Sequence, residues 1–421
     1  MNPATLSSRQ KAPFKVFCIL CLSSLLAMSW PVVVQADENS PWPEGCTEGS
    51  LPVSDQDDSS HQLILTCLPK NWNGYLVVYA HGYVSPQLDL ALPVEELGQG
   101  TLPDGQSIID VLMSLGFAFA TSSYHKNGYA IEQASPDINA LVHHFESNVA
   151  PAPAEKVFIT GGSEGGLLTT MLVEKYPEIY DGGLAMCGPI GGAPYQIDYV
   201  GDFRVVFDYF YPNVFDFGAA DVPLEAYKDW EEVYAPAVRS AILGSTVKRA
   251  QLFNVTQAPW VPWEADTAVT TAQTLLRYSV VGTNDLKVLA GGEMPYNNDG
   301  RKYKGSLNDR RLNKKVERVY GDTDYLYEYY QTTGDLQRPL VTLHTLLDGA
   351  VPFRHELIYF DRVNKKGRSE YLTILPVVRY GHCTFEPAEV LGAFALLFIQ
   401  SGLQDVDALM PYLESLPEPM E

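Results

Sequence analysis

The sequence predicts an α/β fold, a doubly wound and mostly parallel sheet interrupted by one long insertion. Three observations carry that reading. Short apolar, β-rich runs alternate along the chain with stretches of helical periodicity, as parallel strands joined by crossover helices do. Near the middle, the strand-like run Val157-Phe158-Ile159-Thr160 stops at a glycine cluster and passes into helical periodicity from Leu167 to Tyr176. About 150 residues then separate the run at 183–187 from the next buried run at 339–346, far more than a crossover needs.

The elements follow in order. Strand-like runs fall near 62–68, 75–80, 117–122, 156–160, 183–187, 339–346 and 371–378. Tyr75 to Ala80 and Pro339 to Leu347 are nearly continuous apolar and β-branched stretches, as strands covered on both faces require. Helical runs near 105–115, 132–147, 164–176, 353–365 and 387–400 lie between several of them. Residues 37–190 and 336–421 thus read as two parts of one core, and 191–335 as a cap inserted over its site.

Residues 1–36 read differently. Arg9, Lys11 and Lys15 precede an apolar stretch from Val16 to Met28, and Val34-Gln35-Ala36 sets compact residues before Asp37. That is the layout of a secretory signal peptide, which predicts a secreted or periplasmic product with no stable membrane insertion after cleavage. The alternative is a retained anchor, since the apolar stretch continues to Val34. Pro31 and the serines weaken a spanning helix, which needs about 20 mostly apolar residues.

Of the 421 residues, 46% are hydrophobic and 19% charged, which excludes disordered, collagenous and multi-spanning classes. Lys and Arg number 29 against 51 Asp and Glu, a net of −22; losing the signal leaves 26 cations and a net of −25. So acidic a surface repels phosphate backbones, and no nucleic-acid partner is expected. Oligomeric state stays open. Cys18 and Cys21 leave with the signal, and Cys46, Cys67, Cys187 and Cys383 remain. An even count in an oxidising compartment predicts two disulfides, with three connectivities open. Pairing Cys46 with Cys67 across a short acidic loop is worth roughly 3 kcal/mol in the chain-entropy model, and leaves Cys187 for Cys383. No CxxC or paired Cys/His spacing exists, so no metal is expected.

The glycine cluster is Gly161-Gly162-Ser163-Glu164-Gly165-Gly166. GxSxG between a strand and a helix presents the serine on a tight turn with no room for β-carbons beside it. The helix N-terminus aims free N–H groups at any oxyanion formed at Ser163. Neither GxGxxG nor a GxxxxGK[ST] phosphate loop can be threaded through these residues.

Three further features join it. The strand at 75–80 ends in His81-Gly82-Tyr83, where serine hydrolases of this layout take one oxyanion N–H; the amides of Tyr83 (or Gly82) and Glu164 are the candidates. The strand at 339–346 is followed by Asp348-Gly349, an acid at a strand's carboxyl end. The strand at 371–378 is followed by Tyr380-Gly381-His382-Cys383. The order Ser163, Asp348, His382 separates this layout from the other serine-protease folds.

On these residues the chain resembles the α/β-hydrolase superfamily, across about residues 60–190 and 336–402. More narrowly, GGSEGGLLTTMLVEKYPEIYDGGLAMCGP and YGHC are similar to secreted bacterial esterases of the tannase/feruloyl esterase kind. That family has a cysteine directly after the catalytic histidine, bonded to one directly before the serine. Here Gly162 stands before the serine, and the resemblance implies that Cys187 takes over the role and tethers the His382 loop near the elbow.

The start of the cap is aromatic, and Tyr195, Tyr199 and Phe203 are candidates to line an apolar acyl or aryl pocket; helix packing is the plainer reading. Tyr296-Asn-Asn-Asp-Gly300 and Asp322-Thr-Asp324 are oxygen-rich but short of a calcium loop's ligand count, and read as turns.

The expected chemistry is hydrolysis of a small-molecule ester through an acyl-enzyme. Ser163 attacks, His382 moves the proton and Asp348 orients His382, with no cofactor needed. A prolyl-oligopeptidase-like serine peptidase is the alternative, and a non-catalytic hydrolase-like binding protein an alternative of another class.

Overall fold

The computed structural model describes residues 42–420, apart from 55, 56, 99–101, 103, 104 and 405. The signal-peptide reading of residues 1–36 lies outside the described residues. The centre is one sheet of β1 (Cys46–Ser54), β2 (Asp57–Cys67), β3 (Tyr75–Ala80), β4 (Ala118–Ser122), β5 (Lys156–Gly162), β6 (Gly182–Met186), β7 (Leu340–Leu347) and β8 (Leu372–Tyr380). Their spatial order is β1-β2-β4-β3-β5-β6-β7-β8. β2 pairs antiparallel with β1 and β4, and all pairs from β4 to β8 are parallel. This is the α/β-hydrolase fold.

The hairpin of β1 and β2 stands where the sequence suggests a short acidic loop. β1 escapes detection because it is an edge strand whose side chains are mostly half-exposed or exposed, so no apolar alternation marks it. Cys46 faces Cys67 in register, and the two are disulfide-bonded.

Helices cover both faces. On one face Ile108–Ser114 and Pro387–Gln400 bury Leu112, Phe394 and Phe398 against Phe117 and Phe158 of the sheet side. On the other, Ile131–His144 and Glu164–Lys175 bury Ile138, Leu168 and Leu172. That second core runs without a break into the helical insertion, where Ala193–Phe210 and Ala265–Leu289 contribute Phe203, Phe207, Leu275 and Leu276. Among the described residues, no helix is long and apolar enough to cross a membrane. The two oxygen-rich segments form local turns: Asn297 Oδ1 accepts from the Asp299 amide and Asp322 Oδ1 from the Asp324 amide, both at 2.9 Å.

Candidate active site

Ser163 sits between β5 and the Glu164–Lys175 helix with φ 56° and ψ −121°, a conformation non-glycine residues rarely adopt. The flanking glycines are there for space. A Cβ on Gly165 would lie 2.0 Å from the Ala80 carbonyl oxygen, and one on Gly161 2.4 Å from the same atom. The turn is therefore pressed against the end of β3, and its amide is held by the Met186 carbonyl of β6 at 2.9 Å.

The structure brings the three distant residues together. Ser163 Oγ lies 2.9 Å from His382 Nε2, and His382 Nδ1 lies 2.7 Å from Asp348 Oδ2. Asp348 is fully buried, and its other oxygen accepts the amides of Ala350 and Val351 at 2.8 and 2.9 Å. With Nδ1 donating to Asp348, Nε2 is left as the acceptor for the serine proton.

Cys187 and Cys383 are disulfide-bonded, tying the residue after His382 to the end of β6. A Cβ on Gly162 would sit 3.8 and 3.9 Å from the two sulfurs, so the bond lies directly over the residue before the serine. Cys187 and Cys383 share positive φ with Ser163, at 45° and 53°. Cys187, His382 and Cys383 converge closely, but each sulfur is already bonded to the other and no thiolate remains for an ion.

Of the two oxyanion candidates at the end of β3, Gly82 is otherwise engaged. Its amide donates to the Glu96 carboxylate at 3.1 and 3.2 Å, and Glu96 also accepts the Tyr79 hydroxyl at 2.8 Å. The amides of Tyr83 and Glu164 donate to no acceptor among the described residues. Gly82 instead lets the loop approach, since a Cβ there would lie 3.5 Å from Ser163 Cβ.

Two cavities meet at Ser163. The larger, about 560 Å³, extends over Leu97, Ile108, Leu112, Met186, Phe385 and Val390, with Glu96 near the serine. The smaller, about 50 Å³, is lined by Glu164, Leu167, Gln196, Val200 and Tyr330. Tyr83 and Tyr278 border both. Burial pushes the Glu164 carboxyl up to about 8, the Ala130 amide that donates to it at 2.9 Å opposing; Asp285 and Glu96 add to the rise and Lys126 works against it.

The aromatic candidates of the insertion lie elsewhere. Tyr195 packs edge-on to His355 and Phe203 to Phe253. Tyr199 donates its hydroxyl to the Gly349 carbonyl at 2.9 Å, so it holds the turn after Asp348 and lines neither cavity. Helical periodicity puts Gln196 and Val200 toward the serine instead. Sequence reasoning also missed Glu96, Tyr278 and the fully buried pair His344 and Glu356 behind Asp348. A histidine inside the apolar run of β7 was the available signal.

A family model described as the prolyl oligopeptidase family matches residues 113–198, which include the serine turn. The mouse (Mus musculus) lysosomal Pro-X carboxypeptidase is 40% identical over 68 residues, 16% of this chain and 14% of that protein. The matched stretch is thus about one seventh of that relative's length. Among solved structures, an esterase from Aspergillus oryzae aligns over 80% of this chain and 73% of its own, with 13% identity and a TM-score of 0.46. Feruloyl esterase B from Aspergillus oryzae aligns over 78% and 72%, with 12% identity and a TM-score of 0.40. The fold, the matched model and the arrangement at Ser163 are those of a serine hydrolase.

Proposed function

We propose that the chain is a secreted or periplasmic serine esterase that works through an acyl-enzyme. The observation that carries it is the continuous hydrogen-bonded chain Ser163–His382–Asp348, at 2.9 and 2.7 Å. Ser163 Oγ attacks the ester carbonyl as His382 Nε2 takes its proton, and Asp348 stabilises the imidazolium. The amides of Tyr83 and Glu164 receive the oxyanion; losing one such donor typically costs about 10²–10³ in turnover. His382 returns the proton to the leaving alcohol, then activates the water that releases the acid. The apolar cavity supports a small-molecule ester with an apolar group, and residues 191–335, which contribute Gln196, Val200, Tyr278 and Tyr330 beside Ser163, act as a cap over the site.

A peptidase is the second reading, favoured by the prolyl oligopeptidase model and the carboxypeptidase match. An ester panel set against proline-containing peptides separates the two. Ser163→Ala should abolish fluorophosphonate labelling and p-nitrophenyl acetate hydrolysis. Retained turnover in that variant removes the serine mechanism. Absence of labelling in the wild type points to a binding protein.

A further inference from the structure

Behind Asp348 lies a second polar chain, fully buried. His344 of β7 places Nδ1 2.9 Å from Glu356 Oε1 and Nε2 2.9 Å from the Val351 carbonyl, with Asp348 Oδ2 at 3.6 Å from Nε2. Glu356, on the Arg354–Lys366 helix, accepts the Thr342 hydroxyl at its other oxygen, 2.7 Å away. His344, Asp348 and Glu356 are all 0% exposed. A carbonyl only accepts, so Nε2 carries a proton; a second proton lies between Nδ1 and Glu356. Asp348 favours keeping that proton on the ring, because two buried carboxylates then share one cation.

The neighbouring histidine shows the contrast. His355 accepts the Gly191 amide at Nδ1, 3.1 Å away, and so donates from Nε2 to Gln196 Oε1 at 2.9 Å. Its bonding fixes a neutral ring. His344 faces oxygen acceptors on both sides. Burial works against its charge, but the hydrogen bond to and the charge of Glu356, with the Asp348 charge and the Val351 carbonyl, together raise its protonation range. Further titratable or charged groups around this cluster are His355, whose own protonation burial, the His344 charge and Arg362 disfavour, Tyr359, whose hydroxyl burial and the nearby carboxylates keep neutral, and His382 beyond Asp348.

We propose that His344 is a positioning residue for the Asp348–His382 pair, a buried imidazolium that pins the Asp348–Val351 turn and counter-charges its carboxylate. The turn geometry supports it. Val351 gives its amide to Asp348 and its carbonyl to His344, so a single residue links the histidine to the aspartate. The role rests on the esterase reading for its kinetic effect; the charge on the ring does not.

Two measurements separate these. In wild-type protein labelled with ¹⁵N-histidine, one of the eight histidines should stay doubly protonated at pH 7 and lose its second ring proton at a higher pH than the other seven. The signal should vanish in His344→Gln/Glu356→Gln, which removes both charges together. A neutral ring at pH 7, or a persistent signal in the double variant, overturns the proposal whether or not the protein hydrolyses esters. In p-nitrophenyl acetate hydrolysis the double variant should lose roughly ten-fold in kcat with little change in KM. The acid limb of its kcat/KM profile should move up by about half a pH unit, because Asp348 then attracts the His382 proton without a competing cation. A profile superimposed on the wild type's, with only thermal stability lowered, also overturns it.

Discussion

Replacing Glu164 by Gln removes a carboxyl that the fold holds against its own charge. The side chain is 8% exposed, and burial moves its protonation from the ordinary 4.5 to about 8. The sign follows from proton counting. Between those values the folded chain binds a proton that the unfolded chain has released, so stability falls as pH rises through that window. Each pH unit is worth about 1.4 kcal/mol, so the loss approaches about 5 kcal/mol by pH 8 and is flat above it. Gln keeps an oxygen for the Ala130 amide and cannot ionise. For a chain of this length the unfolding entropy is about 0.8 kcal/mol/K, so the variant should melt about 1 °C above wild type at pH 5 and about 6 °C above it at pH 8. Calorimetry at the two pH values reads this directly. Parallel melting curves, with the same gap at both, refute the assignment of a buried neutral carboxyl. Activity gives a second reading. Above pH 8 the ionised side chain sits beside its own amide, the proposed oxyanion donor, and like charges at such range cost roughly 3 kcal/mol at an effective dielectric near 20. Wild-type turnover should fall on that alkaline limb while Glu164→Gln holds its rate.

Three other substitutions test separate parts of the frame. Gly165→Ala puts a Cβ 2.0 Å from a backbone oxygen that cannot yield, and should give no soluble, native-like protein by circular dichroism; a folded, active variant would mean the serine turn is looser than described. Cys187→Ser/Cys383→Ser opens a loop of 196-residue separation, worth about 5 kcal/mol in the chain-entropy model, and frees the residue beside His382. Esterase activity should drop more steeply than the melting temperature, and equal losses would confine the bond to stability. Tyr199→Phe removes the donor to Gly349, and should lower kcat several-fold with KM unchanged and about 1 kcal/mol of stability lost. A rise in KM alone would return Tyr199 to the substrate pocket.

Much of this was legible in the sequence because it is written in local chemistry. The strands β3 to β7 are largely buried on both faces and read as apolar runs, and the serine turn needs its glycines for space that only a missing Cβ provides. Asp348 and His382 could be found because each follows a strand, and the fold places the ends of parallel strands on one rim. What was hidden depends on direction. Tyr195, Tyr199 and Phe203 belong to a helix buried nearly all round, so periodicity could not say which face meets the serine. The Gly82 amide is taken by the Glu96 carboxylate, fourteen residues on, and no local sequence pattern announces that contact. His344 gave a signal without a meaning, since a lone histidine in a buried strand acquires a role only when Glu356 and Asp348 close around it.

The acid's turn also explains why the helical insertion cannot be treated as a detachable cover. Three successive carbonyls of that turn are each taken by a side chain: Gly349 by Tyr199, Ala350 by Gln196 and Val351 by His344. Two of those donors come from the insertion and one from the sheet. The Ala265–Leu289 helix adds a second hold, since the Tyr380 hydroxyl near His382 donates to the Thr267 carbonyl at 2.6 Å and meets the Thr271 hydroxyl at 2.9 Å. Moving the insertion as a body would strip the turn that orients Asp348, so its helices belong to the frame that holds Asp348 and His382. The large cavity is different. Of the described residues lining it, Tyr278 alone comes from the insertion, and its apolar wall is built by Leu97, Ile108, Leu112 and Val390. Changes of fit for the proposed ester are therefore to be sought in that wall, where a side chain can be resized without touching the hydrogen bonds that join Ser163, His382 and Asp348.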